Sequence, residues 1–406
     1  MISSQPSLDS ERRQRPTLLF YCQHALGMGH FVRSGALAAA LEQRFRVVLV
    51  NGGPRLRRYR WPRGVEVVDL TPLAFEPDRL LVALDSRWPL AEACRIRQDR
   101  MLDLFRSLRP DALLIELFPF GRKKFAPELL SLLEEARASR DRRPVVVSSV
   151  RDILVSRKRA QLEHDDWART LAEHYFDAVL VHSDPNFARL EDSFRPHAPL
   201  RIPVYYTGFV RANSGDEPSA PVRRRGHVLV SAGGGAVGEP LLRAAVDAHA
   251  LLWPRERIRM KIVAGPLLPD RIWRSLREAT WRRRGLTMVR SVSDLSRELR
   301  TCAASVSQCG YNTSLEILAA GVPALVIPFA SWQENEQMKR AARLQELGAV
   351  RVLDPRQLDA PRLAEEIPAL LRFQPRRPRF DLDGVGTTAQ LVELLVRRAG
   401  QIRLSG

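Results

Sequence analysis

At 406 residues, 45% hydrophobic and 27% charged, the chain is long enough for two or three domains and too apolar to be disordered. Its formal charge of +18 rests on 59 arginines and only 5 lysines. That charge fits an anionic partner (nucleotide phosphates, a lipid-linked phosphate or an anionic membrane) or an arginine-rich composition alone. The runs at 223–225 and 282–284 lack interleaved aromatics, so no nucleic-acid partner is expected.

In chain order, short apolar runs alternate with amphipathic stretches, the pattern of βα units on parallel sheets. Strands are expected at 17–23, 46–51, 65–69, 112–116, 145–149 and 178–182, with helices at 31–42, 91–108, 127–138 and 160–174. Residues 211–226 then read RANSGDEPSAPVRRRG, rich in breakers and without apolar periodicity, which marks a linker. The pattern restarts at 227–231 and continues with strands at 258–264, 287–290, 304–307, 324–328 and 350–353. The fold class is therefore α/β, with two doubly wound domains. We place the first at 1–210 and the second at 211–384, and leave a last helix, about 385–406, to pack back on the first.

No apolar run reaches the roughly 20 residues that span a bilayer. The run at 18–21 is too short for the core of a signal peptide, so a cytoplasmic location is the expectation. Cys22, Cys94, Cys302 and Cys309 show no metal-binding spacing and are expected as buried thiols. The one DxD tripeptide, Asp381 to Asp383, lies outside any recognisable nucleotide loop, and no metal site is expected.

In doubly wound sheets ligands sit beyond the carboxyl ends of the strands, so the loops after each strand carry the candidates. After the first strand comes His24-Ala25-Leu26-Gly27-Met28-Gly29-His30. Gly27 and Gly29 allow a tight turn, and His30 is a candidate general base or an incidental residue of a glycine turn. After the first strand of the second half, Gly233, Gly234 and Gly235 offer backbone amides to a phosphate or form a plain flexible turn. Residues 308–321 read QCGYNTSLEILAAG. There Gly310 opens a turn. Asn312, Thr313 and Ser314 can cap a helix whose first amides meet a diphosphate, and Glu316 can accept from ribose hydroxyls. Thr313 to Glu316 equally reads as an ordinary capping box. Glu116 and the 118–122 turn, and Arg151 with Asp152, follow other strands and are candidates for acceptor contact, with Asp152 expected to orient His30.

The 308–321 segment resembles the donor-binding signature of GT-B-fold glycosyltransferases. It is similar both to the plant UDP-glycosyltransferase box and to the MurG-like bacterial branch. The 27–30 turn is similar to the N-terminal loop of that branch. The resemblance is dense at 24–42 and 302–354. It implies a GT-B architecture of two Rossmann-like domains facing across a cleft, with the diphosphate contacted by the residues after Gly310 and ribose held by Glu316. Gln308 and Tyr311 stand where the plant box has His and Trp. The family's acidic-Gln pair for sugar hydroxyls falls on Trp332-Gln333 without gaps, or on Glu336-Gln337 when the following helix is aligned; we prefer Glu336 and Gln337.

The implied activity is inverting transfer from a nucleoside-diphosphate sugar, in first place a UDP-sugar, to a hydroxyl acceptor, with His30 as base and no cofactor. The acceptor is lipid-linked or a small molecule, and peripheral contact with the inner membrane face is included. The alternatives are a UDP-sugar 2-epimerase of the same fold and a non-enzymatic basic binding protein.

Overall fold

A computed structural model describes residues 15–24, 29–55, 59–76, 80–139, 142–156, 160–211, 226–329 and 335–405. The chain divides into two compact units. The first holds 1–154, 160–212 and 381–406; the second holds 155–159 and 213–380.

The first unit is built on a seven-stranded sheet. Its strands are β1 (Thr17–Cys22), β2 (Arg46–Asn51), β3 (Glu66–Asp69), β6 (Ala112–Glu116), β7 (Val145–Arg151), β8 (Ala178–His182) and β9 (Val204–Tyr206). Every neighbouring pair is parallel, in the order β3-β2-β1-β6-β7-β8-β9. A parallel strand covered on both faces needs a continuous apolar run, and Leu18 to Cys22 of β1 are fully buried. Helices α1 (Gly29–Leu41), α2 (Leu90–Leu108), α3 (Ala126–Ala138) and α4 (Gln161–Tyr175) connect the strands. Helix α1 buries Phe31, Leu37, Ala38 and Leu41, which share one face at helical spacing. A small antiparallel pair, β4 (Leu73–Phe75) with β5 (Leu81–Ala83), lies between β3 and α2.

The second unit is a six-stranded parallel sheet. Its strands are β10 (His227–Ser231), β11 (Arg259–Val263), β12 (Leu286–Val289), β13 (Ala304–Ser307), β14 (Ala324–Val326) and β15 (Arg351–Val352). Their order is β12-β11-β10-β13-β14-β15. Numbered within the unit this is 3-2-1-4-5-6, the Rossmann order. Helices α5 (Glu239–Glu256), α6 (Asp270–Thr280), α7 (Leu295–Thr301), α8 (Tyr311–Ala320), α9 (Glu336–Glu346) and α10 (Ala360–Leu371) complete it. The core joins Val228 and Val230 of β10 to Leu242, Ala245 and Ala248 of α5 and to Leu363, Ile367 and Leu370 of α10.

The chain then returns to the first unit. Phe209 N donates to Asp381 O at 2.8 Å and Gly384 N to Phe209 O at 2.9 Å. Helix α11 (Gly384–Ser405) follows, and its Val385, Ala389 and Val392 join the core around Leu37 and Leu41 of α1. The DxD tripeptide is part of this return. Asp381 Oδ1 accepts from Asp383 N, and Asp381 N donates to Asp184 Oδ2. Gly208, at φ +80°, leaves room for the Asp381 carboxyl, which a Cβ would approach to 2.5 Å.

Candidate functional site

In each sheet the strand order reverses at one place, between β1 and β6 in the first unit and between β10 and β13 in the second. The loops on either side of such a reversal diverge, and the crevice they leave is where doubly wound folds bind ligands. Most of the sequence candidates lie at these two places.

In the first unit, His30 is the second residue of α1, directly after the β1 loop, and Glu116 ends β6. His30 Nδ1 lies 2.5 Å from Glu116 Oε1. Glu116 is fully buried and held by two arginines: Arg33 Nη2 donates to Oε1, and Arg122 Nη2 donates to Oε2 at 3.2 Å. Arg33 lies one helical turn beyond His30, so both point to the same carboxylate. Burial disfavours the charge of Glu116. The electrostatic pull of His30, then the charge of Arg122, the His30 hydrogen bond and the charge of Arg33, outweigh it and hold its pKa well below the usual carboxylate range. Burial likewise lowers the imidazole of His30 to about 3, against the pull of Glu116 and with the help of Arg122 and Arg151. His30 is therefore neutral at pH 7. With an ionised carboxylate on Nδ1, the favoured tautomer places the proton there and leaves Nε2 as the acceptor. The His30 side chain keeps 17% exposure, so the ring is not sealed in.

The carboxylate that orients His30 is thus Glu116 and not the expected Asp152. The physical reason is strand order: β6 neighbours β1 directly, whereas Asp152 follows β7, one strand further out, and is buried there. Arg151 ends β7 and acts on His30 through its charge. Gly29 opens α1; Gly27 lies outside the described residues.

Two buried networks underlie this site. His182, at the end of β8, is bracketed by Ser149 Oγ at 2.7 Å from Nε2 and Thr207 Oγ1 at 2.8 Å from Nδ1. Thr207 Oγ1 donates to Gly208 O, so it accepts from Nδ1–H, and Nε2 accepts from Ser149. Beside the β1 loop, buried Arg97 pairs with Glu128 at 2.7 Å and donates to Gly52 O, Thr71 O and Gln23 Oε1, each at 2.8 Å. One guanidinium thereby ties together the chain after β1, β2 and β3.

The second unit answers with glycines and helix ends. After β10, Gly233 and Gly235 adopt left-handed φ values of +58° and +90°. A Cβ on Gly235 would fall 2.6 Å from Ala264 O, so only glycine lets this turn approach the one after β11. The amides expected to meet phosphate are partly spent within the turn: Gly233 N donates to Ser231 Oγ, and Gly235 N to Ala232 O. The Gly234 carbonyl accepts from Leu267 N.

Across the reversal, Gln308 Nε2 donates to Val237 O at 3.1 Å, so Gln308 ties this loop to the glycine turn. Gly310 precedes α8 with extended backbone, and a Cβ there would meet nothing within 4 Å. Helix α8 starts at Tyr311 with no side-chain cap, so the capping-box reading of Thr313 and Glu316 does not hold: both lie inside the helix. The start of an uncapped helix directs N–H groups and positive potential forward. Asn312 and Thr313 occupy its first turn, and Thr313 Oγ1 lies toward Gly233. Ser314 turns back, donating through Oγ to Gly310 O at 2.9 Å, and is buried. It shapes the loop, because its hydroxyl proton is committed to the chain. Glu316 is buried and accepts from Ser296 Oγ.

On α9, Glu336 is the first residue and Gln337 Oε1 accepts from Phe329 N at 3.0 Å, holding the segment after β14; Trp332 and Gln333 lie outside the described residues. Reading by motif passed over Arg340. It is fully buried, donates to Cys309 O at 3.0 Å and lies over the Tyr311 ring, clamping the loop from behind. A charged residue at helical spacing on a buried face was the available signal, as it was for Arg33.

Two reversals with these loops, one in each of two Rossmann-like units on a single chain, define the architecture. The fold is GT-B. Over 93% of this chain and all of the other, it is similar to the crystal structure of Acinetobacter baumannii MurG, at 15% identity and a TM-score of 0.57. A UDP-glucosyltransferase from Polygonum tinctorium is similar over 95% of this chain and 94% of its own, at 15% identity and a TM-score of 0.59. Residues 234–379 match the glycosyltransferase family 28 C-terminal domain. A curated relative from Methylibium petroleiphilum is 29% identical over 205 residues, 47% of this chain and 54% of its own. Its name is UDP-N-acetylglucosamine–N-acetylmuramyl-(pentapeptide) pyrophosphoryl-undecaprenol N-acetylglucosamine transferase. The chain thus spans about half the length of that relative. Among the described residues, no helix is long and apolar enough to cross a membrane.

Proposed function

We propose that this chain is an inverting glycosyltransferase that moves a sugar from a nucleoside-diphosphate sugar to a hydroxyl acceptor. The observation that carries the reading is the His30–Glu116 pair at the reversal of the first sheet, a neutral imidazole with its Nδ1 held and its Nε2 available. In this reading Nε2 takes the acceptor proton as the hydroxyl oxygen attacks the anomeric carbon. Glu116 then stabilises the imidazolium.

The second unit holds the donor. The first turn of α8 faces the diphosphate with its backbone amides, Asn312 and Thr313, which stabilise the charge developing on the leaving group without a metal ion. Glu316 accepts from the ribose hydroxyls, and Glu336 and Gln337 serve the donor sugar. The name of the Methylibium relative supports a UDP-sugar donor and a lipid-linked acceptor; peripheral contact at the inner membrane face belongs to the same proposal.

The test is a thermal-shift panel of nucleotides and nucleotide sugars, followed by product analysis with the ligand that stabilises, in the presence and absence of a chelator. A ligand bound only by the folded chain raises its melting temperature by mass action. Stabilisation by UDP or a UDP-sugar that survives chelation is the expected result. A new epimer formed from a UDP-sugar alone would replace transfer with epimerisation, and no stabilisation by any nucleotide would end the donor reading.

A further inference from the structure

Ser296 is the second residue of α7, a seven-residue helix that follows β12 and opens with Asp294 accepting from Arg297 N at 3.0 Å. It comes from a different part of the unit than the donor loop, twenty residues earlier in the chain, yet α7 packs against α8 and brings its hydroxyl to Glu316 Oε2. Both side chains are buried, Ser296 at 6% and Glu316 at 8% exposure. A serine hydroxyl carries one proton, and a carboxylate only accepts, so the direction of the bond is fixed. With one oxygen held by Ser296, the orientations open to the carboxylate are narrowed.

We propose that Ser296 is a positioning residue for ribose recognition. By anchoring one oxygen of Glu316 it sets the direction in which the carboxylate meets the vicinal hydroxyls of a nucleotide, and so how sharply the site separates ribonucleotides from those lacking these hydroxyls. The inference rests on the reading of Glu316 as the ribose contact.

The experiment is calorimetric titration of UDP and of 2′,3′-dideoxy-UDP into the full chain, as wild type, Ser296→Ala and Ser296→Thr, with thermal melts to confirm folding. The wild type prefers UDP. In Ser296→Ala that preference falls about five- to tenfold, the scale of one hydrogen bond. Its affinity for the dideoxynucleotide stays within about twofold, and Ser296→Thr, which keeps the hydroxyl, retains most of the preference. An unchanged preference in Ser296→Ala overturns the inference alone. So does an equal loss for both nucleotides, which would make Ser296 a packing residue. A wild type that binds neither nucleotide, or both equally, overturns the reading of Glu316 and this inference with it.

Discussion

Where the first sheet reverses, between β1 and β6, the side chains are His30, Glu116, Arg33 and Arg122, all charged or titratable and interlocked. Where the second reverses, between β10 and β13, the chain offers glycines at positive φ, an uncapped helix start and one buried carboxylate. The topology at the two places is the same; the chemistry differs. Proton transfer needs a group whose protonation can change, and the first unit builds one from side chains. Holding a diphosphate needs fixed dipoles and close backbone approach, which a helix start and glycine turns supply without any titratable group. A doubly wound sheet thus supplies a place, and the residues set there decide what is done in it.

The largest effect that tests this division is the loss of His30. In His30→Ala, turnover falls about 10²–10⁴-fold, as expected for removing a general base, measured with whichever nucleotide sugar and acceptor the wild type uses. Turnover close to wild type would leave the first reversal without its assigned chemistry.

A second effect concerns pH. Because burial and the nearby arginines hold the imidazole down to about 3, the base stays neutral from pH 8 to pH 5, and kcat/KM is level across that range on the acid side. An ordinary histidine would give a tenfold fall for each unit below about 6.5. An acid limb centred near 6.5 would show that the first unit does not depress its base.

The fold itself was largely legible. Runs such as Leu18 to Cys22 are buried on both faces, so apolar length and βα alternation announced them. The short β4, β5 and β9 were not readable, because they are mostly half-buried and lack the continuous apolar run that marked buried strands. His30, Glu116 and Glu316 could be picked out because each follows a strand or a glycine turn. That Glu116 and not Asp152 partners His30 was not readable, since it depends on β6 lying next to β1, a non-local fact. Arg33, Arg97 and Arg340 stayed hidden for another reason: among 59 arginines, composition gives no hint that these three of the described residues are fully buried. Gly233, Gly235, Gln308 and Ser314 were expected to face the ligand. Their hydrogen bonds within the loops show that they first shape the loops themselves.

A smaller effect separates the units by stability. His30 and His182 are each lowered to about 3 and His24 to about 4, burial being the largest cause in each case. All three belong to the first unit, whereas the second has His249, also lowered by burial. In the unfolded chain these groups titrate near 6.5, so between about pH 6.5 and 3 the unfolded state binds more protons than the folded one. Stability therefore falls as pH drops through that window. Thermal melts from pH 7 to pH 4 should show a falling transition. Hydrogen exchange should show the peptides of β1, β7 and β8 losing protection before those of β10 and β13. Loss of protection first in the second unit would contradict the assignment of the buried neutral histidines.

The measurement that bears most directly on the division of labour is UDP binding to three chains, the wild type, His30→Ala and Glu316→Ala, by calorimetry. It needs no acceptor. The account predicts that His30→Ala binds UDP as the wild type does. Glu316→Ala loses charge-assisted hydrogen bonds to ribose and should bind more weakly by about 2–3 kcal/mol, some 30- to 150-fold. UDP affinity that survives in Glu316→Ala but collapses in His30→Ala would place the nucleotide in the first unit and contradict the account.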